Sequence, residues 1–402
     1  MPKTCTYTWN GATGKAQWSF TEDTLLLLPE GGSPLPFAVK EMSGISGDGY
    51  ALDLRVPGAV LSLGKLGQDG PTLLEALQRT WPLLRADALR LKGTGDPKRF
   101  VGRASSETGA KTAVALLYED VLLLARDGDD LAPVFLPPLL SALYDEDAFA
   151  VALQRRGLPP VVLSKLAGAT QAFLDGLNAA RAALTQESLQ VLSEKMPALS
   201  AMQKAALAGL WPPGLVVSLE ELENACPGFT VALRAGWLAT ALRRKEGEAL
   251  LAGAGPGEAF LGFARPKEGP PPAAGQEAEE EAATDAEGGS GQETPAAGED
   301  PILLWLLVRR GTSWFLESLT ERNHATYRFE GGEEMPDLAT CLLCSPQFSR
   351  EALYQRIEAL TGDKAGLAIA ARDLGFLKEL RSRFKERIIH TGLESWKAKV
   401  LR

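Results

Sequence analysis

The sequence is poor in residues on which many enzymes and extracellular domains rely. It has four cysteines and two histidines among 402 residues. Four scattered cysteines cannot form the disulfide framework of a small secreted domain, so a reducing compartment fits them better. The first residues lack the apolar stretch of a signal peptide, and the longest apolar run, residues 302–308, is too short to span a bilayer. We therefore expect a cytoplasmic protein, and the frequent Ala, Gly, Leu and Pro favour a bacterial source.

The sequence also lacks the motifs of catalysis and cofactor binding. The sequence has two histidines, His324 and His390, but no Gly-x-Ser-x-Gly elbow that would supply the nucleophile of a catalytic triad. The glycines at 253–257 lead into a strand pattern, whereas a phosphate-binding loop must open onto a helix. The sequence therefore predicts no cofactor, no metal and no small-molecule substrate, and it favours a non-enzymatic protein. The alternative is an active site that is assembled between domains without a motif.

One acidic stretch accounts for the net charge of −9. Residues 276–300 hold nine acidic residues and no basic one; without them 42 acidic residues remain, which equals the number of Lys and Arg. A neutral body gives no support to a nucleic-acid partner. Residues 266–300 contain no Leu, Ile, Val or aromatic residue. This predicts a disordered insertion, because the segment cannot bury enough apolar surface to offset its chain entropy.

Four blocks of sequence occur twice in the same order. The pairs are 20–28 with 117–125, 49–54 with 148–153, 63–66 with 163–166, and 73–77 with 173–177. A conserved order at nearly constant spacing predicts a duplicated domain. In each copy, strand patterns precede an amphipathic helix, which in the first copy places Leu74, Leu77 and Trp81 on one face.

This order of elements resembles that of pleckstrin-homology-like domains, in which a meandering sheet is followed by a helix with a core Trp. The resemblance covers residues 1–90 and 100–185, and Arg181 stands where the second copy would have the Trp. Phosphoinositide-binding members carry several basic residues around the first hairpin. Here residues 10–15 offer only Lys15, so the resemblance does not imply phosphoinositide binding.

The predicted fold is α+β: tandem small bent antiparallel sheets, each closed by a C-terminal helix, with a helical connector and the disordered acidic insertion. The predicted domains are 1–95, 98–190, a connector at 191–244, and 245–402. We interpret the last as a degenerate third copy interrupted at 266–300. Its predicted strands are 302–308, 313–319, 325–330 and 338–343.

Cys341 and Cys344 have the spacing of a redox or metal site. A zinc site needs four ligands, and no second pair follows. A redox thiolate needs a helix N-terminus, whereas the flanking residues have the pattern of a buried strand. The sequence favours two structural thiols, with redox chemistry as the alternative.

Two segments are candidates for partner contacts. The C-terminus, residues 372–402, has nine basic and four acidic residues, and a helix there would place Arg381, Arg383, Lys385 and Arg387 beside an apolar face. Such a helix binds an anionic membrane surface or an acidic partner. The helices at 200–242 could form a helix-turn-helix with 230–242 as recognition helix, but that helix has few base-reading side chains.

The first hypothesis is therefore an interaction or scaffold protein with a protein partner, by analogy with other small half-open sheets. The second is a peripheral protein that contacts membranes through the basic C-terminal helix. The third is a DNA-binding regulator that uses the 200–242 helices.

Overall fold

The computed structural model describes residues 3–106, 109–242, 244–265, 302–321, 324–345, 357, 367–389 and 392–401. Within them the chain forms three antiparallel sheets and eleven α-helices, which confirms the predicted α+β class of tandem sheets. The predicted acidic insertion and His390 lie outside the described residues.

The first sheet has seven strands in the order β4-β3-β2-β1-β7-β6-β5. They are β1 Lys3–Trp9, β2 Ala12–Phe20, β3 Thr24–Pro29, β4 Leu35–Ala38, β5 Gly44–Gly47, β6 Leu52–Val56 and β7 Ala59–Gly64. Helix α1, Asp69–Ala88, buries the predicted core residues Leu77 and Trp81 beneath this sheet. The indole Nε1 of Trp81 donates a hydrogen bond of 2.8 Å to the carbonyl oxygen of Met42. The helix is therefore fixed to the sheet by burial and by a directional bond.

The second sheet repeats this order as β11-β10-β9-β8-β14-β13-β12. Its strands are β8 Lys98–Ser106, β9 Gly109–Leu117, β10 Val121–Arg126, β11 Leu131–Phe135, β12 Leu139–Asp145, β13 Ala150–Arg155 and β14 Leu158–Ser164, followed by helix α2, Thr170–Lys195. Strand β10 is buried on both faces: Leu122 and Leu124 face the core of this unit, and Leu123 and Ala125 belong to a core shared with the rest of the molecule. A continuous apolar run is typical of such a doubly covered strand.

The remaining strands form a plain meander, β15-β16-β17-β18-β19-β20, and not the order of the first two sheets. They are β15 Val217–Ser218, β16 Ala259–Ala264, β17 Leu303–Arg310, β18 Ser313–Leu319, β19 His324–Glu330 and β20 Phe384–Arg387. The predicted strands 302–308 and 313–319 form as β17 and β18, which pair with each other through, for example, Leu307 and Leu316. Strand β15 comes from the predicted connector and pairs with β16, so that segment is part of the third unit.

Helices surround this meander. They are α3 Ala201–Leu210, α4 Leu219–Ala225, α5 Phe229–Ala235, α6 Trp237–Thr240, α7 Arg244–Ala252, α8 Met335–Cys344, α9 Ala368–Asp373, α10 Gly375–Arg383 and α11 Leu393–Val400. The predicted strand at 338–343 is wrong, because these residues lie in α8. Met335, Ala339 and Leu342 are buried in the shared core. Their spacing of four and three residues is that of one helical face.

Contacts between the units are specific as well as apolar. Arg85 of α1 is fully buried, and its guanidinium donates to both carboxylate oxygens of Asp130, at 2.5 and 2.9 Å. It also donates to Asp373 of α9 at 2.8 Å. The backbone N–H of Gly128 in the β10–β11 turn donates to the carbonyl oxygen of Ile45 in β5, at 2.9 Å. One arginine therefore joins the first unit to the other two.

Within the described residues no helix is long and apolar enough to cross a membrane.

Candidate interaction surface

The predicted basic C-terminal helix is wrong in its second half. Helix α10 ends at Arg383, and Phe384–Arg387 form strand β20, in which Arg387 pairs with Tyr327 of β19. The ring of Phe384 lies 5.8 Å from that of Phe329, edge to face, and this contact draws the chain onto the sheet. A helix and a strand present side chains with different periods, so the single amphipathic face is lost.

The cations of this segment are largely neutralised in place. Arg383 forms ion pairs with Glu334 and with Glu379, the latter at 2.6 Å. Lys385 lies 3.0 Å from Glu330. Arg381 lies in α10, separated from Lys385 and Arg387 by the change from helix to strand. The structure thus gives little support to a basic membrane-binding face.

The cysteine pair lies in helix α8, at its C-terminal end. Burial raises the pKa of the Cys341 thiol to about 12 and raises that of Cys344 well above its usual value. The Cys344 thiol donates to the carbonyl oxygen of Gly214 at 3.2 Å. A redox cysteine needs a lowered pKa, for instance at a helix N-terminus. Cys341 and Cys344 instead lie toward the C-terminal end of a helix and have raised pKa values.

We predict that the native protein is inert toward thiol reagents at pH 8. Burial raises the pKa of Cys5 to about 11, and it also raises the pKa of Cys226, so all four thiols remain protonated. Labelling by an aromatic disulfide reagent should be on the order of a hundredfold or more slower than for free cysteine. Four thiols should then react when the protein is unfolded in guanidinium. Rapid reaction of Cys341 in the native protein would contradict this.

The proposed recognition helix does not form as predicted. Residues 230–242 split into α5 and α6 at Gly236, where an added Cβ would lie 2.3 Å from the carbonyl oxygen of Lys195. Trp237 and Leu238 are buried, and the Thr230 hydroxyl donates to Glu223 at 2.8 Å. His324 begins β19, where it pairs with Leu319. Short, buried helices of this kind do not present a face to a DNA groove.

Two cavities among the described residues are small. One of about 50 Å³ is lined by Asp120, Pro137, Gly214 and Cys344, among others. Another, beside Lys195 and Thr320, is about 10 Å³. Pockets for small molecules are usually about 300–1,000 Å³. Nor does the described part of the chain group three or more His, Cys, Asp or Glu side chains that could hold a metal ion.

The surface that stands out is the free edge of the second sheet. Among the described residues, strand β12 has a strand neighbour on one side only, β13. Leu143 is 56% exposed, and Phe149 in the following turn is 70% exposed. Leu140 and Tyr144 are also exposed. We call these four residues the β12 edge surface.

Both faces of β12 contribute exposed apolar side chains to the β12 edge surface. Ala142 packs against the core of the second unit. Side chains alternate along a strand, so Tyr144 lies on that face and Leu143 on the opposite one. Leu140 stands at a bulge, where its carbonyl oxygen accepts a 2.8 Å hydrogen bond from Arg181. Beyond Leu140, the strand thus carries large apolar groups on both sides of its edge.

An acidic turn follows β12. The Oδ1 atom of Asp145 accepts hydrogen bonds from the backbone N–H groups of Asp147 and Ala148, at 3.0 and 2.9 Å. Asp145, Glu146 and Asp147 are exposed, and none forms an ion pair within the described residues. Phe149 closes the turn at a φ of 47°, a left-handed conformation that is uncommon for an aromatic residue. The turn thus presents an exposed aromatic ring two residues after three exposed carboxylates.

The corresponding edge of the first sheet is covered. Leu54 of β6 matches Leu153 in the repeat; their partners on the edge strands are Ile45 and Ala142. Ile45 accepts the hydrogen bond from Gly128. An added Cβ at Gly44 would lie 2.8 Å from the carbonyl oxygen of Gly128, so the neighbouring backbone is in close contact. The first copy therefore has a neighbouring turn in contact with an edge that, within the described residues, the second copy leaves open.

Sequence reasoning missed this edge. The available signal was the run Leu139, Leu140, Leu143 and Tyr144, which does not alternate as a half-buried strand should, followed directly by the acidic turn. Neither feature shows which edge of a sheet is covered. No family model and no curated protein matches the chain.

Proposed function

We propose that this protein is a non-enzymatic scaffold that docks a partner protein on the β12 edge surface. We further propose that its two N-terminal units are pleckstrin-homology-like modules. The order β4-β3-β2-β1-β7-β6-β5 followed by one helix, found twice, supports the second proposal. Trp81 in the core helix of the first unit supports it as well.

The observation that carries the docking function is the exposure of the β12 edge surface. A sheet edge leaves main-chain N–H and C=O groups open to pairing, and natural proteins usually protect such edges with charges, prolines or a covering segment. Here large apolar side chains flank the edge instead, with Leu143 at 56% and Phe149 at 70% exposure. Clustered exposed apolar groups are typical of protein interaction sites.

Contacts between the units fix the position of the β12 edge surface relative to the rest of the molecule. One core of buried residues extends through the first unit, the second sheet and α8. Arg156 of the second unit forms a bidentate pair with Glu221 of α4, at 2.6 and 2.7 Å. Bidentate pairs of this kind fix orientation as well as proximity. The β12 edge is therefore presented from a body whose units are held in place.

The test compares two double variants in quantitative capture from native lysate. Leu143→Ser with Phe149→Asn removes the apolar groups of the β12 edge surface, and Asn tolerates the left-handed φ of residue 149. Leu26→Ser with Leu28→Ser is the matched control, because these leucines are also exposed but lie on β3 of the first sheet. We expect retention of a defined partner to fall at least about tenfold in the first variant, since two apolar contacts contribute more than 1.4 kcal/mol. The control should retain it.

Both variants should melt within a few degrees of the wild type, because all four side chains are exposed. Equal retention by the two variants would refute docking at this edge. Flotation of the wild type with anionic liposomes, without a protein partner, would favour the membrane hypothesis in its place.

A further inference from the structure

We infer that the segment received by the β12 edge is an extended chain with net positive charge that pairs with β12 as an added strand. This inference rests on the proposed docking function and names the chemistry of its partner. In the first copy the equivalent edge already contacts another part of the main chain, because the backbone N–H of Gly128 donates to the carbonyl oxygen of Ile45 at 2.9 Å. The equivalent edge in the first copy thus accepts a main-chain hydrogen bond from a neighbouring turn.

The second copy has larger side chains at this edge. In register, Leu143 and Tyr144 take the places of Ser46 and Gly47. Residues along an added strand would alternate between the faces carrying Leu143 and Tyr144. Main-chain hydrogen bonds then supply affinity, and alternate side chains supply selectivity. The occupant is accordingly expected to carry apolar residues at alternate positions.

The sign of the partner's charge follows from the acidic turn. Asp145, Glu146 and Asp147 lie at the end of β12, and Ala150, which pairs with Asp145, is paired in turn with Ser164. Lys165 follows Ser164 and is exposed at the same end. Arg103 of β8, which pairs with Ser164, is a second cation at this end, but the three carboxylates are consecutive and leave the turn itself negative. A chain that continues past the end of β12 meets that field, which favours Lys or Arg and disfavours Asp or Glu.

The same charges disfavour an anionic membrane as occupant. Apolar side chains such as Leu143 and Phe149 would insert into lipid, but the neighbouring carboxylates would be repelled by acidic headgroups. They would also have to be desolvated near the interface. A basic protein segment can pack apolar side chains against Leu143 and Phe149 and place its cations near the carboxylates.

The experiment measures fluorescence anisotropy of labelled peptides with the full chain. Each peptide has alternating Val and Thr followed by three Lys or by three Glu, in both chain directions. The Lys peptides should bind the wild type. Their affinity should weaken markedly between 50 and 500 mM salt, because salt screens the attraction between the lysines and the exposed carboxylates. The Glu peptides should not bind. A Lys peptide with N-methylated backbone on its pairing side should fail to bind, because it cannot donate hydrogen bonds to β12.

A charge-reversal variant completes the design. Glu146→Lys with Asp147→Lys leaves Asp145, whose side chain holds the turn, in place. Affinity for the Lys peptide should fall about tenfold and affinity for the Glu peptide should rise, as expected for two reversed surface charges. Glu75→Lys with Glu22→Lys, exposed residues of the first unit, is the matched control and should change neither affinity.

The outcomes separate this inference from the proposed function. If partner capture depends on Leu143 and Phe149 while the Lys and Glu peptides bind equally or not at all, the scaffold function stands and the basic partner is refuted. A dimer of the full chain in sedimentation that the Leu143→Ser and Phe149→Asn variant abolishes would also overturn it, because the occupant would then be a second copy. Binding of the Lys peptide that Glu146→Lys with Asp147→Lys leaves unchanged would place the peptide elsewhere.

Discussion

Replacing Arg85 by alanine should lower the free energy of unfolding by about 3–5 kcal/mol, the largest effect we expect from any single charged residue here. Arg85 is 0% exposed, and its guanidinium bonds to Asp130, to Asp373 and to the carbonyl oxygen of Lys40. Its removal deprives Asp130 of its guanidinium, whereas Asp373 keeps its pair with Arg372, at 2.8 Å to each oxygen. The side chain of Asp130 is 33% exposed, which places the expected loss toward the lower end of the range.

The measurement is urea unfolding of the full chain followed by tryptophan fluorescence and circular dichroism. Arg79→Ala is the matched control, because Arg79 is exposed on the same helix and its loss should change stability by less than about 0.5 kcal/mol. Since Arg85 connects three units, its loss should also separate the two probes into distinct transitions. A loss below about 1 kcal/mol with coincident transitions would show that the apolar core alone holds the units together.

This cluster also predicts a dependence on pH. Burial alone would raise the pKa of Asp373, but hydrogen bonds from Arg372 and Arg85 outweigh it, so the pKa lies below its usual range. A carboxyl group with a lowered folded pKa stabilises the fold above its unfolded pKa of about 4, and this contribution is lost as the pH falls through the folded value. The stability difference between wild type and Asp373→Asn should therefore be constant near neutral pH and shrink below about pH 4.

The sequence pattern was sufficient for much of the first unit. Leu52, Leu54 and Val56 alternate with exposed Asp53 and Arg55, and the strand forms as that period predicts. Trp81 lies in the core because its spacing from Leu77 places both on one helical face. Local periodicity and burial agree at these positions, so no distant contact was needed to identify them.

Elsewhere distant contacts decided the structure. Residues 338–343 are apolar except for Thr340, and such a short run fits a buried strand or a buried helix equally well. The change from helix to strand after Arg383 depends on pairing with β19, more than fifty residues earlier in the chain. The carbonyl oxygen of Lys195, far from Gly236 in the sequence, leaves no room for a Cβ at the break between α5 and α6. None of these partners is visible in a local window of sequence.

The candidate site depended on contacts between the two copies. Both copies have the same strand order, and both carry an exposed aromatic residue before β6 or β13: Tyr50 is 66% exposed and Phe149 is 70% exposed. Gly128 reaches β5 because the second unit packs beside the first. Nothing in the repeat itself shows which copy is covered, so the open edge of β12 could be identified only from the packed structure.

Replacing Trp211 by alanine should cost about 3–5 kcal/mol, the range expected for a fully buried aromatic residue. The ring is 0% exposed and meets Phe263 at 4.8 Å and Phe229 at 5.7 Å, both edge to face. Its Nε1 donates to the carbonyl oxygen of Leu261 at 3.1 Å, and its own carbonyl oxygen accepts from the Ser188 hydroxyl at 2.9 Å. Trp211 thus joins α2, the connector helices and β16 in one core.

Trp211→Phe separates the two parts of this contribution. Phenylalanine keeps most of the ring packing but leaves the Leu261 carbonyl oxygen without its donor, so we expect a smaller loss of about 1–3 kcal/mol. Trp9→Ala, at a partly exposed ring that contacts Phe37 of the first unit, should cost less than Trp211→Ala. If Trp211→Ala instead melts like the wild type, the connector is an independent helical linker as the sequence predicts. A large loss means that β15, the connector helices and the third sheet fold as one unit.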